Sequence, residues 1–462
     1  MKRLFNFLCN YKKELKIQLR LFFPLLLGQV CVSGMSVADT IMAGMASTID
    51  LSGVALGCAF YWPCVLFLVG LVYAITPIVS HLLPSKNYGL IKQNLFNATI
   101  ISLIIGVLVG VFLALLPLIY NFIDADIEMV NVAKGYIYAV SLAMPFCVLY
   151  NILRSYADGL GFTKPTMYFG ILMLLLDIPL NYLFIFGHLG MPKLGGVGCG
   201  VSTALINLIS SILMLIIIIK GKFFKSFKTN QNVFTFDKTL IKNFLKLAVP
   251  LGLSRTVEVA CFSLGAVIIS PFGPMVVAAH SITLNISSLI FMIPLSLAIT
   301  MTIRTAYNLG LGSFARVWVS IKSGLRINLV IYLIYASLVF IYRDNLASFY
   351  SDDPEVLQLC STLIIFNCIY MLPDSIQAFL LGTLQGFKDS KVTLYIIMFS
   401  YLVVGIPCCY MLAWGTFGEP LKASGIWIGF IICLLTAAIC YAFRTRYLLK
   451  HKIMLLPNEK FD

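Results

Sequence analysis

The sequence predicts an all-α polytopic membrane protein of about twelve transmembrane helices, and three observations carry that prediction. Hydrophobic residues make up 60% of the chain and charged residues only 11%, whereas a soluble domain carries about 25% charged residues. Apolar runs long enough to cross a bilayer, about 20 residues each, recur along all 462 positions. The basic residues gather in every second loop, the asymmetry that orients membrane proteins.

Spans are expected near 18–45, 51–80, 95–121, 131–153, 165–187, 196–219, 243–270, 275–303, 325–342, 356–385, 392–414 and 423–445. The basic amino-terminal segment precedes the first apolar run, as in a signal peptide. That run continues for about 25 residues, includes Gln29 and lacks a cleavage motif, so it reads as a retained first helix. With the amino terminus inside, the termini and even-numbered loops hold 24 of the 33 basic residues, and Arg20, Arg326 and Arg444 at the adjoining span ends bring that side to 27; Lys134, Lys246 and Arg255 fall within or at the ends of spans. The odd-numbered loops hold Lys193, Arg343 and Lys422, and they carry acids instead: Asp124, Asp126, Glu128, Asp344, Asp352, Asp353 and Glu355. Both termini are therefore expected in the cytoplasm, in a bacterial inner membrane. The net charge of +14 follows from this topology and needs no nucleic acid as partner. The basic ends can also meet anionic lipid.

The loop at 220–242, rich in lysine, divides the chain into an amino-terminal lobe (1–222), a linker (223–242) and a carboxy-terminal lobe (243–462). The lobes look related. Gly161-Phe162 recurs as Gly386-Phe387, Ile178-Pro179 as Ile406-Pro407, Tyr182 as Tyr410, Gly187 as Gly415 and Gly190 as Gly418, all at offsets of 225 to 228. Pro24 and Pro250 open spans one and seven at an offset of 226. Six spans per lobe is even, so both lobes enter from the same side, as a parallel repeat about a pseudo-two-fold axis along the membrane normal.

Most of the thirteen cysteines, among them Cys58, Cys64, Cys147, Cys261, Cys368, Cys433 and Cys440, lie in apolar runs, where cysteine behaves as a small hydrophobe. No CxxC pair or cluster with metal-ligand spacing is present. The glycine-rich stretch from Gly195 to Gly200 follows no strand, which argues against a dinucleotide loop. Without a Walker A or HExxH motif, nothing points to an ATP-driven pump or a zinc protease, and the chain does not read as an enzyme.

Four of the nineteen acids fall inside spans: Asp39, Asp177, Glu258 and Asp374. A carboxylate at the centre of a membrane helix costs at least ~2.5 kcal/mol on insertion scales, so each needs a partner or a cavity. Asp39 and Asn181 each lie six residues before the outer end of their span, and Asp177 lies one turn deeper than Asn181 on the same face. With Thr203 of span six they offer two carboxylates, an amide oxygen and a hydroxyl, a set suited to a hard cation or to a proton. In the second lobe Glu258 and Asp374 come with Phe262 and Tyr370 at helical spacing. Two acids beside aromatic rings suit an organic cation through charge pairing and cation–π contact. Pro179 and Pro373 adjoin these acids, and a proline inside a helix kinks it and frees a carbonyl. Arg255, one turn before Glu258, reads as snorkelling to the cytoplasmic side. His280 reads as structural.

These segments together resemble the multidrug and toxic compound extrusion family, in its NorM-like branch. The segments that carry the likeness are PLLLGQVCVSGMSVADTIMAG (24–44), DIPLNYLFIFGHLGMPKLGGVGCGVSTA (177–204), VPLGLSRTVEVACF (249–262), FMIPLSLAITMTIR (291–304) and YMLPDSIQAFLLGTLQGFKD (370–389). The resemblance runs over essentially the whole chain. It implies two six-helix lobes in a V and a secondary antiporter, a monomer, that exports organic, mainly cationic, drugs or toxic compounds in exchange for Na⁺ or H⁺, with no other cofactor. It further implies an amino-lobe site at Asp39, Asn181 and Thr203, a carboxy-lobe site at Glu258, Tyr370 and Asp374, and Na⁺ held at Glu258, Asp374 or Asp39. Two positions depart from the family pattern. Asp177 stands where Asn is expected, and Phe291 stands where some relatives have Tyr.

The alternative is a flippase for a lipid-linked precursor, which would want a basic cavity, whereas the intramembrane charges here are mainly acidic. A major-facilitator transporter would show a Gly–Asp–Arg-rich loop after span two, and HLLPSKNYGLIKQN (81–94) lacks it. A polyprenyl transferase would show paired Asp-rich motifs on cytoplasmic loops, and none is present.

Overall fold

The computed structural model describes residues 2–122, 126–227, 233–350, 353–416 and 418–452. Asp124, Asp352, Lys228 and positions 453–462 of the sequence reading lie outside them. The described residues form helices and turns with no strand, and twelve helices are long and apolar enough to cross a membrane. In chain order they are α1 (Lys2–Ala46), α2 (Thr48–Tyr73, prolonged by Ile75–Leu82), α3 (Tyr88–Leu115), α4 (Ile127–Gly159), α5 (Lys164–Phe186) and α6 (Val197–Lys220). The rest are α7 (Lys238–Ile269), α8 (Pro274–Gly310), α9 (Phe314–Ile341), α10 (Pro354–Gly386), α11 (Ser390–Trp414) and α12 (Lys422–His451).

Each helix covers the span expected for it to within one residue at either end, except α3, where Leu116–Phe122 continues as a 3-10 turn, and several run further. Apolar runs record the thickness of hydrocarbon, while a helix continues into water wherever its backbone stays bonded. Pro24 and Pro250 illustrate the difference, since both lie inside long helices rather than at their beginnings. Helix starts follow local capping chemistry. Ser47 caps α2 by accepting from the Asp50 amide at 2.9 Å and donating to the Asp50 carboxylate at 2.7 Å. Asn87 accepts from Leu90 N at 3.1 Å ahead of α3. Asp126 caps α4 and Asp353 caps α10. Such side-chain oxygens satisfy amides that the first turn leaves unpaired.

The chain forms two compact units: Met1–Phe23 with Val257–Asp462, and Pro24–Thr256. The loop at 223–242 belongs to the second. There Phe223 stacks on Phe162 with centroids 4.1 Å apart, and Phe227 meets Tyr88 edge-on. Asn97 holds the returning segment of the loop, donating to Thr235 O at 3.0 Å and accepting from Asp237 N at 2.9 Å.

Inside each unit the packing order repeats. In the 24–256 unit α4 packs against α2, α3 and α6, and α5 against α6. In the other unit α10 packs against α8, α9 and α12, and α11 against α12. The seams match in detail. Thr76 donates to Ser155 O across α2 and α4 at 2.9 Å, and Thr302 donates to Gly382 O across α8 and α10 at 2.9 Å. These pairs stand 226 and 227 residues apart, the offset the sequence repeat shows. Small residues allow the approach: a Cβ on Gly159 would lie 3.0 Å from Thr76 O. The glycine-rich stretch has the same role. A Cβ on Gly198 would lie 2.7 Å from Ile185 N, and one on Gly200 would lie 3.0 Å from Tyr136 O. The Gly196 amide donates to the Asp50 carboxylate at 2.5 Å.

The residues 11–23 of α1 are fastened to the carboxy-terminal unit by a buried polar cluster. Arg304 grips Glu14 with both Nε (2.7 Å) and Nη2 (2.6 Å), and Ser320 donates to the same carboxylate at 2.5 Å. Gln18 adds a bond to Ser320 O at 2.9 Å. A planar guanidinium fits a carboxylate in two parallel bonds, which is why Arg serves at this buried position.

Candidate functional site

In the 24–256 unit, α1, α5 and α6 bring Asp39, Asp177 and Asn181 together. Asn181 Nδ2 donates to Asp39 Oδ1 at 2.6 Å. Asp177, one turn earlier on α5, is fully buried, and neither of its carboxylate oxygens nor Asn181 Oδ1 has a hydrogen-bond partner among the described residues. The two carboxyls act on each other electrostatically. Neither forms an ion pair with Lys or Arg among the described residues. Thr203 does not join them by a hydrogen bond. It lies one turn beyond Cys199, whose thiol faces the Asp39 carbonyl at 3.8 Å. Three residues that the sequence reading did not assign to this site line the region, Cys58 having been read as a small hydrophobe. Cys58 donates to Tyr136 Oη at 3.3 Å, Tyr61 meets Tyr136 edge-on, and all three feel the charge of Asp39.

Burying a carboxyl whose oxygens accept nothing is costly. An arrangement of two acids and an amide oxygen, with no base paired to it among the described residues, has the chemistry that could hold positive charge, as a metal cation or as a proton. Both oxygens of Asp177 and Oδ1 of Asn181 are the buried atoms there without a hydrogen-bond partner, and so the ones that could hold it.

In the carboxy-terminal unit the sequence-selected residues also converge. Glu258 of α7 and Asp374 of α10 are buried, at 5% and 4% exposure. Both act electrostatically on Tyr370, which is itself buried. Phe262, one turn after Glu258, meets Tyr370 edge-on at 6.1 Å. The sequence reading missed the remainder of the cage. Tyr401 of α11 donates to Glu258 Oε1 at 3.3 Å, Trp427 meets Tyr370 at 5.4 Å, and Phe430 meets Phe262 at 4.9 Å. His280 is fully buried against Trp427 and Phe430, and neither ring nitrogen has a hydrogen-bond partner among the described residues. Arg255 is half-buried.

Among the described residues no three of His, Cys, Asp and Glu gather as metal ligands, and no two cysteines are bridged. The chemistry of both clusters is that of acids with amide, phenol and ring partners, one cluster in each unit.

Known proteins fit this arrangement. The MatE family model matches residues 24–183 and 250–411, one stretch in each half of the chain. The chain belongs to the MatE family. It is a membrane-embedded transporter and not an enzyme. The probable multidrug resistance protein NorM of Shewanella oneidensis is 36% identical over 443 residues, covering 96% of each chain. Two solved structures share the fold. One is an outward-facing multidrug resistance MATE family transporter of the MOP superfamily, with a TM-score of 0.87 and 18% identity over 95% of this chain and 96% of that one. The other is the eukaryotic MATE transporter AtDTX14, with a TM-score of 0.85 and 17% identity over the same shares. The MatE match spans Asp39, Asp177, Asn181, Glu258, Phe262, Tyr370 and Asp374, while Thr203 falls between its two stretches.

Proposed function

We propose that this MatE transporter is a secondary antiporter that exports organic, mainly cationic, drugs or toxic compounds across a bacterial inner membrane in exchange for Na⁺ or H⁺. It works as a monomer with both termini in the cytoplasm, and requires no cofactor beyond the coupling ion. The observation that carries the reading is the acid pair of half-buried Asp39 and fully buried Asp177, with no base paired to either among the described residues. Such a pair holds a cation or a proton in one state of the cycle and must release it in another. Glu258 and Asp374, ringed by Phe262, Tyr370 and Trp427, supply the chemistry that receives an organic cation or a Na⁺ ion. Kinship with a probable multidrug resistance protein supports the substrate class, and the 27-to-3 basic bias supports the orientation.

A ligand shifts a conformational equilibrium only by its differential affinity for the two states. An ion that neutralises the acids and a cation that needs them charged compete for the same electrostatic resource, and that competition is the coupling. Ethidium efflux from vesicles under separately imposed Na⁺ and H⁺ gradients tests it. Efflux should accelerate under at least one gradient, and the reading fails if neither gradient changes the rate.

A further inference from the structure

Helix α11 is not a uniform α-helix. Ser390–Ile397 is α-helical, Met398–Gly405 is π-helical, and Ile406–Trp414 is α-helical again. The Ile406 amide bonds to Tyr401 O, five residues back. A π turn accommodates one residue more than an α turn. One residue of an α-helix is about 100° of rotation, so the wide turn redirects the side chains it contains relative to an uninterrupted helix. The wide segment fits because Gly405 faces α12 without a side chain: a Cβ there would lie 2.8 Å from Cys433 Sγ.

Tyr401 is the residue the wide turn delivers. It is 1% exposed, its hydroxyl donates to Glu258 Oε1 at 3.3 Å, and its ring meets Phe262 edge-on at 5.9 Å. A small cavity of about 10 Å³ lies beside it, lined by Cys261, Phe262, Tyr401, Cys409, Phe430 and Cys433, with room for about one water. Glu258 does not line that cavity; the hydroxyl meets its carboxylate directly, and a carboxylate oxygen accepts it as a charge-assisted bond. π turns are uncommon and concentrate at functional sites.

We infer that Tyr401 is a positioning residue for Glu258, and that the π-helical turn at Met398–Gly405 exists to hold its hydroxyl on that carboxylate while the coupling ion binds. The inference rests on Glu258 acting as a coupling group. Fixing one carboxylate oxygen fixes the direction of the other, so the ion meets a preset ligand instead of a rotating side chain. Loss of the hydroxyl leaves ring packing in place and removes only that restraint.

The test is transport by purified protein in liposomes, titrating the driving ion at fixed ethidium. Tyr401→Phe should raise the half-saturating ion concentration by roughly tenfold, the scale of one hydrogen bond to a charged group, with the maximal rate at saturating ion within about twofold of wild type. Tyr401→His keeps a ring and an N–H donor and should stay within about threefold in half-saturation. Should the Phe variant fail to accumulate, Gly405→Ala takes its place: a Cβ there meets Cys433 Sγ at 2.8 Å and disturbs the wide turn, so half-saturation should rise severalfold, and an unmoved half-saturation overturns the inference. An unchanged half-saturation in Tyr401→Phe overturns the inference. Glu258→Gln runs beside both: if it keeps full ion dependence, the coupling role of Glu258 falls on its own evidence, whatever Tyr401 does.

Discussion

Arg304→Ala should be among the most destabilising single substitutions in the protein. Arg304 makes two bonds to Glu14, at 2.7 and 2.6 Å, and both residues are buried. A hydrogen bond to a charged group contributes about 1.5–3 kcal/mol, so the two together reach about 3–6 kcal/mol. Removing one partner of a buried ion pair costs about 3–5 kcal/mol, because the other charge stays buried without compensation. The Ser320 hydroxyl still donates to Glu14 and offsets part of that, which leaves an expected loss of about 3 kcal/mol. Denaturant unfolding in detergent, followed by tryptophan fluorescence, measures it. Glu14→Ala strands the guanidinium and should cost a similar amount. The double variant strands nothing, so its loss should fall about 2 kcal/mol or more short of the sum of the singles, the coupling expected of contacting residues. Additive losses would show that the contact carries no energy and that residues 11–23 are held by apolar packing alone.

Two further substitutions probe the packing. Gly28→Ala places a Cβ 2.7 Å from Thr166 O, where α1 crosses α5; overpacking of this kind costs about 1–3 kcal/mol, so a lower melting temperature is expected and an unchanged one would contradict the close crossing. Asn97→Ala releases the backbone of Thr235 and Asp237 without touching either acid cluster. Limited trypsin digestion should then cut faster at Lys225 or Lys238 while transport persists, and an unaltered digestion pattern would show that the aromatic contacts of Phe223 and Phe227 hold the loop unaided.

The twelve spans were legible because hydrocarbon thickness imposes an apolar run of fixed length on each, whatever the sequence. The candidate-site acids stood out for the converse reason: a carboxyl in such a run is too costly to leave without a partner or a cavity. Helical spacing then linked Asp177 to Asn181 and Tyr370 to Asp374, and the structure adds the bond from Asn181 to Asp39. What spacing could not supply was the partner from a distant helix. Tyr136, Trp427 and Phe430 are ordinary aromatic positions until packing places them. Tyr401 was further hidden because a π turn alters the register that i,i+4 reasoning assumes. Glu14, Asp158 and Asp389 looked like loop or terminal acids, because helices outlast their apolar runs. They are buried and paired instead, Glu14 with Arg304, Asp158 with Arg154 at 3.8 Å, and Asp389 with Arg444 at 2.6 Å. The glycine-rich stretch could be read only as unlike a nucleotide loop, because its packing role needed Ile185 and Tyr136 in place.

The coupling of ion and substrate through buried carboxyls is tested most directly by ethidium efflux from liposomes, under the gradient that drives the wild type, for Asp39→Asn, Glu258→Gln and Asp374→Asn. Each substitution keeps side-chain size and removes one negative charge. Asp39→Asn should retain measurable ethidium binding yet lose its response to pH and Na⁺, and Glu258→Gln and Asp374→Asn should lose gradient-driven efflux while accumulating normally in the membrane. Gradient-driven efflux at the wild-type rate, with unchanged ion dependence, in all three variants would contradict the account.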